Sequence, residues 1–125
     1  MEAGRVTILV TDVLDVRPPD VGEVDCVFDR GALIALPPAI RRRYVPHVLG
    51  LLRSGGRILL QTLAYDQTRI EGPPYSVPAA EVRALFEPNC EVERLEVRED
   101  DDPPPRFKEA NVGPLELSNW LVTKR

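Results

Sequence analysis

Proline limits this chain more than any other residue. Thirteen of its 125 residues are proline, against an average usage of about 5%, and most fall in runs: Pro18-Pro19, Pro37-Pro38, Pro73-Pro74 and Pro103-Pro104-Pro105. Each ring locks φ, removes an amide donor and pushes the preceding residue toward extended backbone. An all-helical bundle is excluded, and short elements with stiff connections are expected. With 43% hydrophobic residues the chain is apolar enough to bury a core, and its length suits a single domain over residues 1–125. No apolar run approaches the roughly 18 residues a membrane span needs.

The 16 Lys and Arg are outnumbered by 20 Asp and Glu, for a net charge of -4, so no positive field draws the whole chain to nucleic acid or an anionic membrane. Arg41-Arg42-Arg43 is the only basic run. Three successive arginines fan around a helix, which reads as a solvated helix start, with anion binding as the alternative. Cys26 and Cys90 form no CxxC pair, and Cys26 lies in the apolar run 24–28, where a buried thiol is expected. A single histidine, His47, cannot build a histidine-rich metal site; it falls mid-helix and reads as a surface or packing residue. Residues 1–5 lack the apolar core of a signal peptide, so a reducing, cytoplasmic location is expected.

Along the chain, Val6 to Val10 reads as a buried strand and Val24 to Phe28 as a second. Residues 32–36 suit a short helical turn, and Pro37-Pro38 opens a helix whose apolar face carries Ile40, Tyr44, Val48, Leu51 and Leu52. Pro46 either kinks that helix or delays its regular part. Ser54-Gly55-Gly56 reads as the helix stop, followed by a third apolar strand over 57–63. A further helix is signalled from Ser76, with Val82, Leu85 and Phe86 on one side. Residues 90–97 alternate polar and apolar, as an antiparallel or edge strand does; 99–105 read as a solvated loop, and 117–123 as the last strand. The class is α/β, with a mostly parallel sheet and an antiparallel finish.

In open parallel sheets, ligands bind beyond the carboxyl ends of strands. That rule selects Asp12-Val13, Asp29-Arg30-Gly31 and Ala64-Tyr65-Asp66. Asp12 and Asp15 also suit simple turn-capping roles. An Asp-Arg pair directly after a buried strand suits either an internal ion pair or a site. No GxxxxGK[ST] occurs, no GxGxxG follows a strand, and Cys26 has no evident base. Neither a nucleophilic catalytic residue nor a metal site is assigned.

Three segments resemble the thiopurine S-methyltransferase family. They are Val24-Asp25-Cys26-Val27-Phe28-Asp29-Arg30-Gly31-Ala32-Leu33-Ile34-Ala35-Leu36-Pro37; Tyr65-Asp66-Gln67 with Gly72-Pro73-Pro74-Tyr75-Ser76-Val77; and Glu81-Val82-Arg83-Ala84-Leu85-Phe86. The resemblance covers nearly the whole chain and is weakest after Asp102. It implies a Rossmann-like class I fold, S-adenosylmethionine as cofactor, and methyl transfer to a thiol or thiopurine-like acceptor, or to a selenium or tellurium species. It also implies that Asp12 and Val13 lie against the adenine, that Arg30 borders both cofactor and acceptor, and that Arg106 approaches the acceptor. Beyond Arg106, Asn111-Val112-Gly113-Pro114 departs from the family pattern.

In that fold a glycine-rich turn and a ribose-binding acid follow the first two strands, ahead of the segment that matches Val6 to Val10. Neither motif is present here, so the chain is expected to be the C-terminal portion of such an enzyme, lacking the N-terminal strands. It would then be truncated, or completed by another polypeptide. The rival expectation is a catalytically inactive module that self-associates through an exposed sheet edge.

Overall fold

The structure, a computed structural model, describes the backbone of residues 2–125 and the side chains from Gly4 onward. A hairpin of β1 (Glu2–Ala3) and β2 (Val6–Thr7) leads through a 3₁₀ turn (Val13–Asp15) and α1 (Pro18–Val21) to β3 (Val24–Asp29). A second 3₁₀ turn (Leu33–Ala35), α2 (Pro38–Leu51) and β4 (Leu52–Ala64) follow. The chain then runs through α3 (Ala79–Phe86), β5 (Cys90–Asp100), α4 (Pro105–Glu109) and β6 (Leu115–Lys124). The main sheet has the order β3-β4-β6-β5: β3 pairs parallel with β4, while β6 pairs antiparallel with β4 and β5. This is the expected α/β class with an antiparallel finish, and the parallel part of the four-stranded sheet is a single pair.

Helix α2 begins where its prolines place it. Pro37 is the extended N-cap and Pro38 takes the first turn, where a missing amide costs nothing. Pro46 lies within the assigned helix. Its buried stripe is Arg41, Tyr44, Val45, Val48 and Leu49, rotated from the predicted face because Arg41 is drawn inward. Far from starting a solvated helix, Arg41 is only 2% exposed. It donates from Nε to the Leu36 carbonyl (2.8 Å) and from Nη1 to Glu81 (2.5 Å), tying α2 to α3. A paired, hydrogen-bonded guanidinium can be buried where a lone one cannot.

The glycine pair does not stop the helix. α2 passes directly into β4 at Leu52, and Lys124 Nζ from β6 donates to the Leu49 and Leu52 carbonyls (2.6 and 2.7 Å), so a tertiary cation serves carbonyls that glycine caps usually leave to local amides. Residues 53–56 instead form a bulge, because Val24 faces Leu52 while Cys26 already faces Arg57. Gly55 has φ +76°, and a Cβ on Gly56 would sit 2.6 Å from Leu52 Cδ1.

One face of the sheet is covered. Ile58 and Leu60 of β4 and Trp120 and Val122 of β6 pack with Tyr44, Val45, Val48 and Leu49 of α2 and Val82 and Phe86 of α3. Trp120 is fully buried, and its indole N–H donates to Thr62 Oγ1 (2.9 Å). The Arg83 and Arg94 guanidinium carbons lie 5.4 and 5.1 Å from its ring centroid. The opposite face is open: Phe28 is 71% exposed, and Leu59 and Leu95 are exposed as well.

Two sequence expectations of burial fail. Val6 to Val10 is not a buried strand. Only Val6–Thr7 is assigned, paired with Glu2–Ala3 outside the main sheet, and Val10 is 93% exposed. Cys26 is also exposed and Cys90 is the buried thiol, because strand alternation places Cys26 with Phe28 on the uncovered face. His47 is half-buried as a packing residue, with an unpartnered Nε2. The triple proline opens α4 instead of prolonging a loop. Among the described residues, no helix is long and apolar enough to cross a membrane.

Gly56→Ala should destabilise the fold by about 1–3 kcal/mol, as overpacking typically does, and an unchanged urea midpoint would contradict the close Leu52 approach.

Candidate functional site

The carboxyl end of β3 lies beside the later part of parallel strand β4, with Asp29 opposite Leu60 while β4 runs on to Ala64. After Asp29 the chain turns sharply. Asp29 is 4% exposed, and its Oδ1 accepts from the backbone amides of Ala32 (3.0 Å) and Leu33 (3.3 Å) while Oδ2 accepts from the Tyr44 hydroxyl (2.7 Å). Burial, reinforced by the neighbouring Asp29 carboxylate, pushes the Tyr44 phenol far above its ordinary range, so it stays a donor. The expected alternatives for Asp29-Arg30 are thereby separated: Asp29 is satisfied internally and does not pair with Arg30. The Arg30 side chain is exposed and makes no hydrogen bond or ion pair with the described residues. It borders a trough of about 400 Å³ with Phe28, Leu59, Gln61, Leu95 and Asn119.

Beyond β4, the chain builds an organised loop. Tyr65 N donates to Ser76 Oγ (3.0 Å), and Tyr65 OH donates to the Pro74 carbonyl (2.5 Å). Gln67 Nε2 donates to Tyr65 OH (2.9 Å) and to the Ile70 carbonyl (2.8 Å), while its Oε1 accepts from Ser76 N (2.7 Å). Tyr75 N donates to the Ile34 carbonyl (2.6 Å), joining the loop to the turn after Arg30, and Val77 N donates to the Leu63 carbonyl (2.8 Å). Asp66 is a turn residue: hydrogen bonds from Thr68 hold its carboxyl below the usual carboxylate range, with Arg69 adding to the effect. The peptide bonds Gly72-Pro73 and Pro73-Pro74 are cis.

Arg106 meets this loop from α4. It donates from Nη1 to the Pro73 carbonyl (2.8 Å) and from Nη2 to the Glu71 carbonyl. Its neighbour Phe107 is buried and packs edge-on against Tyr65, with centroids 5.2 Å apart. Asp12 caps its own 3₁₀ turn by accepting from Leu14 N (2.9 Å), the capping role that its sequence also suggested, and Val13 is exposed beside it. Of the four residues singled out, Arg106 is joined to the Gly72-Pro73-Pro74 loop and Arg30 lies in the trough. No side-chain hydrogen bond or ion pair joins Arg30 to Arg106, or either to Asp12. Tyr44 and Gln67 were not foreseen as site-forming, since Tyr44 reads in sequence only as an apolar-stripe residue and Gln67 as one more polar loop residue.

The α/β sheet, with its parallel β3–β4 pair and antiparallel finish, has the Rossmann-like class I fold of solved methyltransferases. A solved S-adenosylmethionine-dependent methyltransferase from Anabaena variabilis superposes with TM-score 0.65 at 14% identity, covering 99% of this chain and 60% of that one. The N-methyltransferase NodS from Bradyrhizobium japonicum, crystallised with S-adenosylhomocysteine, superposes with TM-score 0.57 at 15% identity over 92% of this chain and 53% of that one. The chain belongs to the thiopurine S-methyltransferase family, whose family model matches residues 1–125. Thiopurine S-methyltransferase of Xanthomonas campestris pv. campestris is 43% identical over 122 residues, 98% of this chain and 56% of that protein. The rabbit enzyme is 40% identical over 94 residues, 75% of this chain and 38% of that protein. The chain thus spans about half the length, or less, of these curated relatives.

Tyr44→Phe removes the hydroxyl donor from a buried carboxylate and should cost about 1–3 kcal/mol; equal denaturation midpoints for the variant and the parent would show that Asp29 does not depend on it.

Proposed function

We propose that this chain forms the C-terminal portion of an S-adenosylmethionine-dependent S-methyltransferase acting on a thiol, a thiopurine-like compound or a selenium or tellurium species. The observation that carries this reading is the family match over residues 1–125, combined with an exposed Arg30 just past the end of β3 that has no partner among the described residues. Asp12 and Val13 belong to the cofactor side in this reading. Arg30 borders both cofactor and acceptor, and Arg106 lies on the acceptor side. Two unpaired cysteines support a reducing, cytoplasmic setting.

The residues present fit one wall of the cofactor site and do not enclose it. Asp12 is engaged with Leu14 N, and both Asp12 and Val13 stand exposed. When bound, S-adenosylmethionine supplies an electrophilic methyl on a sulfonium sulfur. Arg30 supplies positive charge that favours the thiolate form of an acceptor beside it, with the thiol proton passing to water. The strand ends and the 65–77 loop supply orientation, which for a one-step displacement accounts for much of the available rate enhancement.

Calorimetric titration with S-adenosylmethionine tests this. Binding should be absent or weak for the 125-residue chain and should appear when the chain is extended to the length of its relatives. Failure of both forms to bind would remove the cofactor assignment.

A second reading is favoured by the unpaired outer edge of β3 and the exposed Phe28 next to it: a catalytically inactive module that self-associates. Sedimentation should then show a symmetric dimer independent of cofactor, whereas a monomer at all concentrations would rule the module out.

A further inference from the structure

We propose that Arg106 is a positioning residue: it latches α4 onto the Gly72-Pro73-Pro74 loop and acts on any acceptor through that loop, leaving Arg30 as the guanidinium free to meet the acceptor.

The two arginines differ in how their donors are used. Arg106 commits Nη1 to the Pro73 carbonyl (2.8 Å) and Nη2 to the Glu71 carbonyl, and its guanidinium carbon lies 5.6 Å from the centroid of the Phe107 ring. One N–H on each terminal nitrogen is therefore engaged within the protein, with the Phe107 ring alongside. An acceptor anion that took the same N–H donors would have to displace backbone carbonyls, which are then left without these partners. Arg30, one residue past β3, has no such commitments among the described residues.

The carbonyls themselves show what the latch holds. Pro73 and Pro74 have no amide hydrogen, so this stretch can pair with neither a strand nor a helix. Its carbonyls are satisfied from outside: Glu71 and Pro73 by Arg106, and Pro74 by Tyr65 OH. Tyr65 and Phe107 are themselves in edge-to-face contact, so α4 grips the loop twice, through a charge-assisted fork and through an aromatic pair. Downstream, Tyr75, Ser76 and Val77 place their amides on Ile34 O, Gln67 Oε1 and Leu63 O. A loop held at carbonyls 71, 73 and 74 keeps these three amides in place and keeps the chain registered against the turn that follows Arg30.

The latch does not depend on the methyltransferase reading, but its consequence for the acceptor does. Amide hydrogen exchange on the 125-residue chain, without cofactor or acceptor, separates the two. Arg106→Ala and Arg106→Gln should speed exchange at Tyr75, Ser76 and Val77 by about tenfold or more, the loss of charge-assisted bonds to a locally opening segment. The amides of Leu60 and Val122 in the central strands should be unaffected. Arg106→Lys keeps a cation that can reach one carbonyl, and should restore part of the protection. Arg30→Gln should leave exchange at all three amides at the parent rate. Unchanged exchange in both the Ala and the Gln variants would overturn the latch, as would a uniform rise that includes the central strands. Failure of Lys to outperform Gln would overturn the hydrogen-bonded fork as its basis. None of these outcomes touches cofactor binding, which the calorimetric titration reads separately.

Discussion

The buried carboxylate of Asp29 ties together the end of β3, the turn that leaves it and the middle of α2. A carboxyl group this deep needs partners on both oxygens, and it has them in the Ala32 and Leu33 amides and the Tyr44 hydroxyl. Leu33, whose amide it accepts, is itself in the core with Tyr44. The same arrangement determines what happens to the next residue. With its acid neighbour satisfied from behind, Arg30 leaves the strand end exposed and without a partner among the described residues.

The loop after β4 applies the same logic to backbone groups. A stretch containing adjacent prolines has fewer amides than carbonyls, and side chains must supply the missing donors. Tyr65 and Gln67 do so from within the loop, and Arg106 from across it. Secondary structure contributes little here, so the conformation of 65–77 depends on side-chain identity more than that of any strand does.

The sheet is asymmetric in a way that bears on function. Helices α2 and α3 cover one face, and the other presents Phe28, Leu59 and Leu95. An apolar surface of this kind is characteristic of an interface. It occurs in a chain that spans about half of its relatives' length, and it is what favours the module reading.

Much of the architecture was legible in the sequence, because strand alternation, proline at helix starts and the polar-apolar pattern of 90–97 are local signals with local causes. Those patterns determined where β3, α2, α3, β5 and β6 lie, and the D-R-G-A-L block together with the Gly72-Pro73-Pro74 block determined the family. What they could not determine was which partner each residue would find. Arg41 belongs in sequence to a run of three arginines, and only Glu81, forty residues away, makes its burial tolerable. Gly55-Gly56 carries a helix-stop signal, but Lys124 at the far end of the chain caps the helix and frees the glycines to form a bulge. Cys26 and Val6 to Val10 carry apolar patterns that predict burial, yet burial needs a second surface, and the described residues provide none on that side. The roles of Arg30 and Arg106 diverge for the same reason: a guanidinium looks alike wherever it occurs in a sequence, and only the tertiary structure decides whether its donors meet carbonyls or stay open to a ligand.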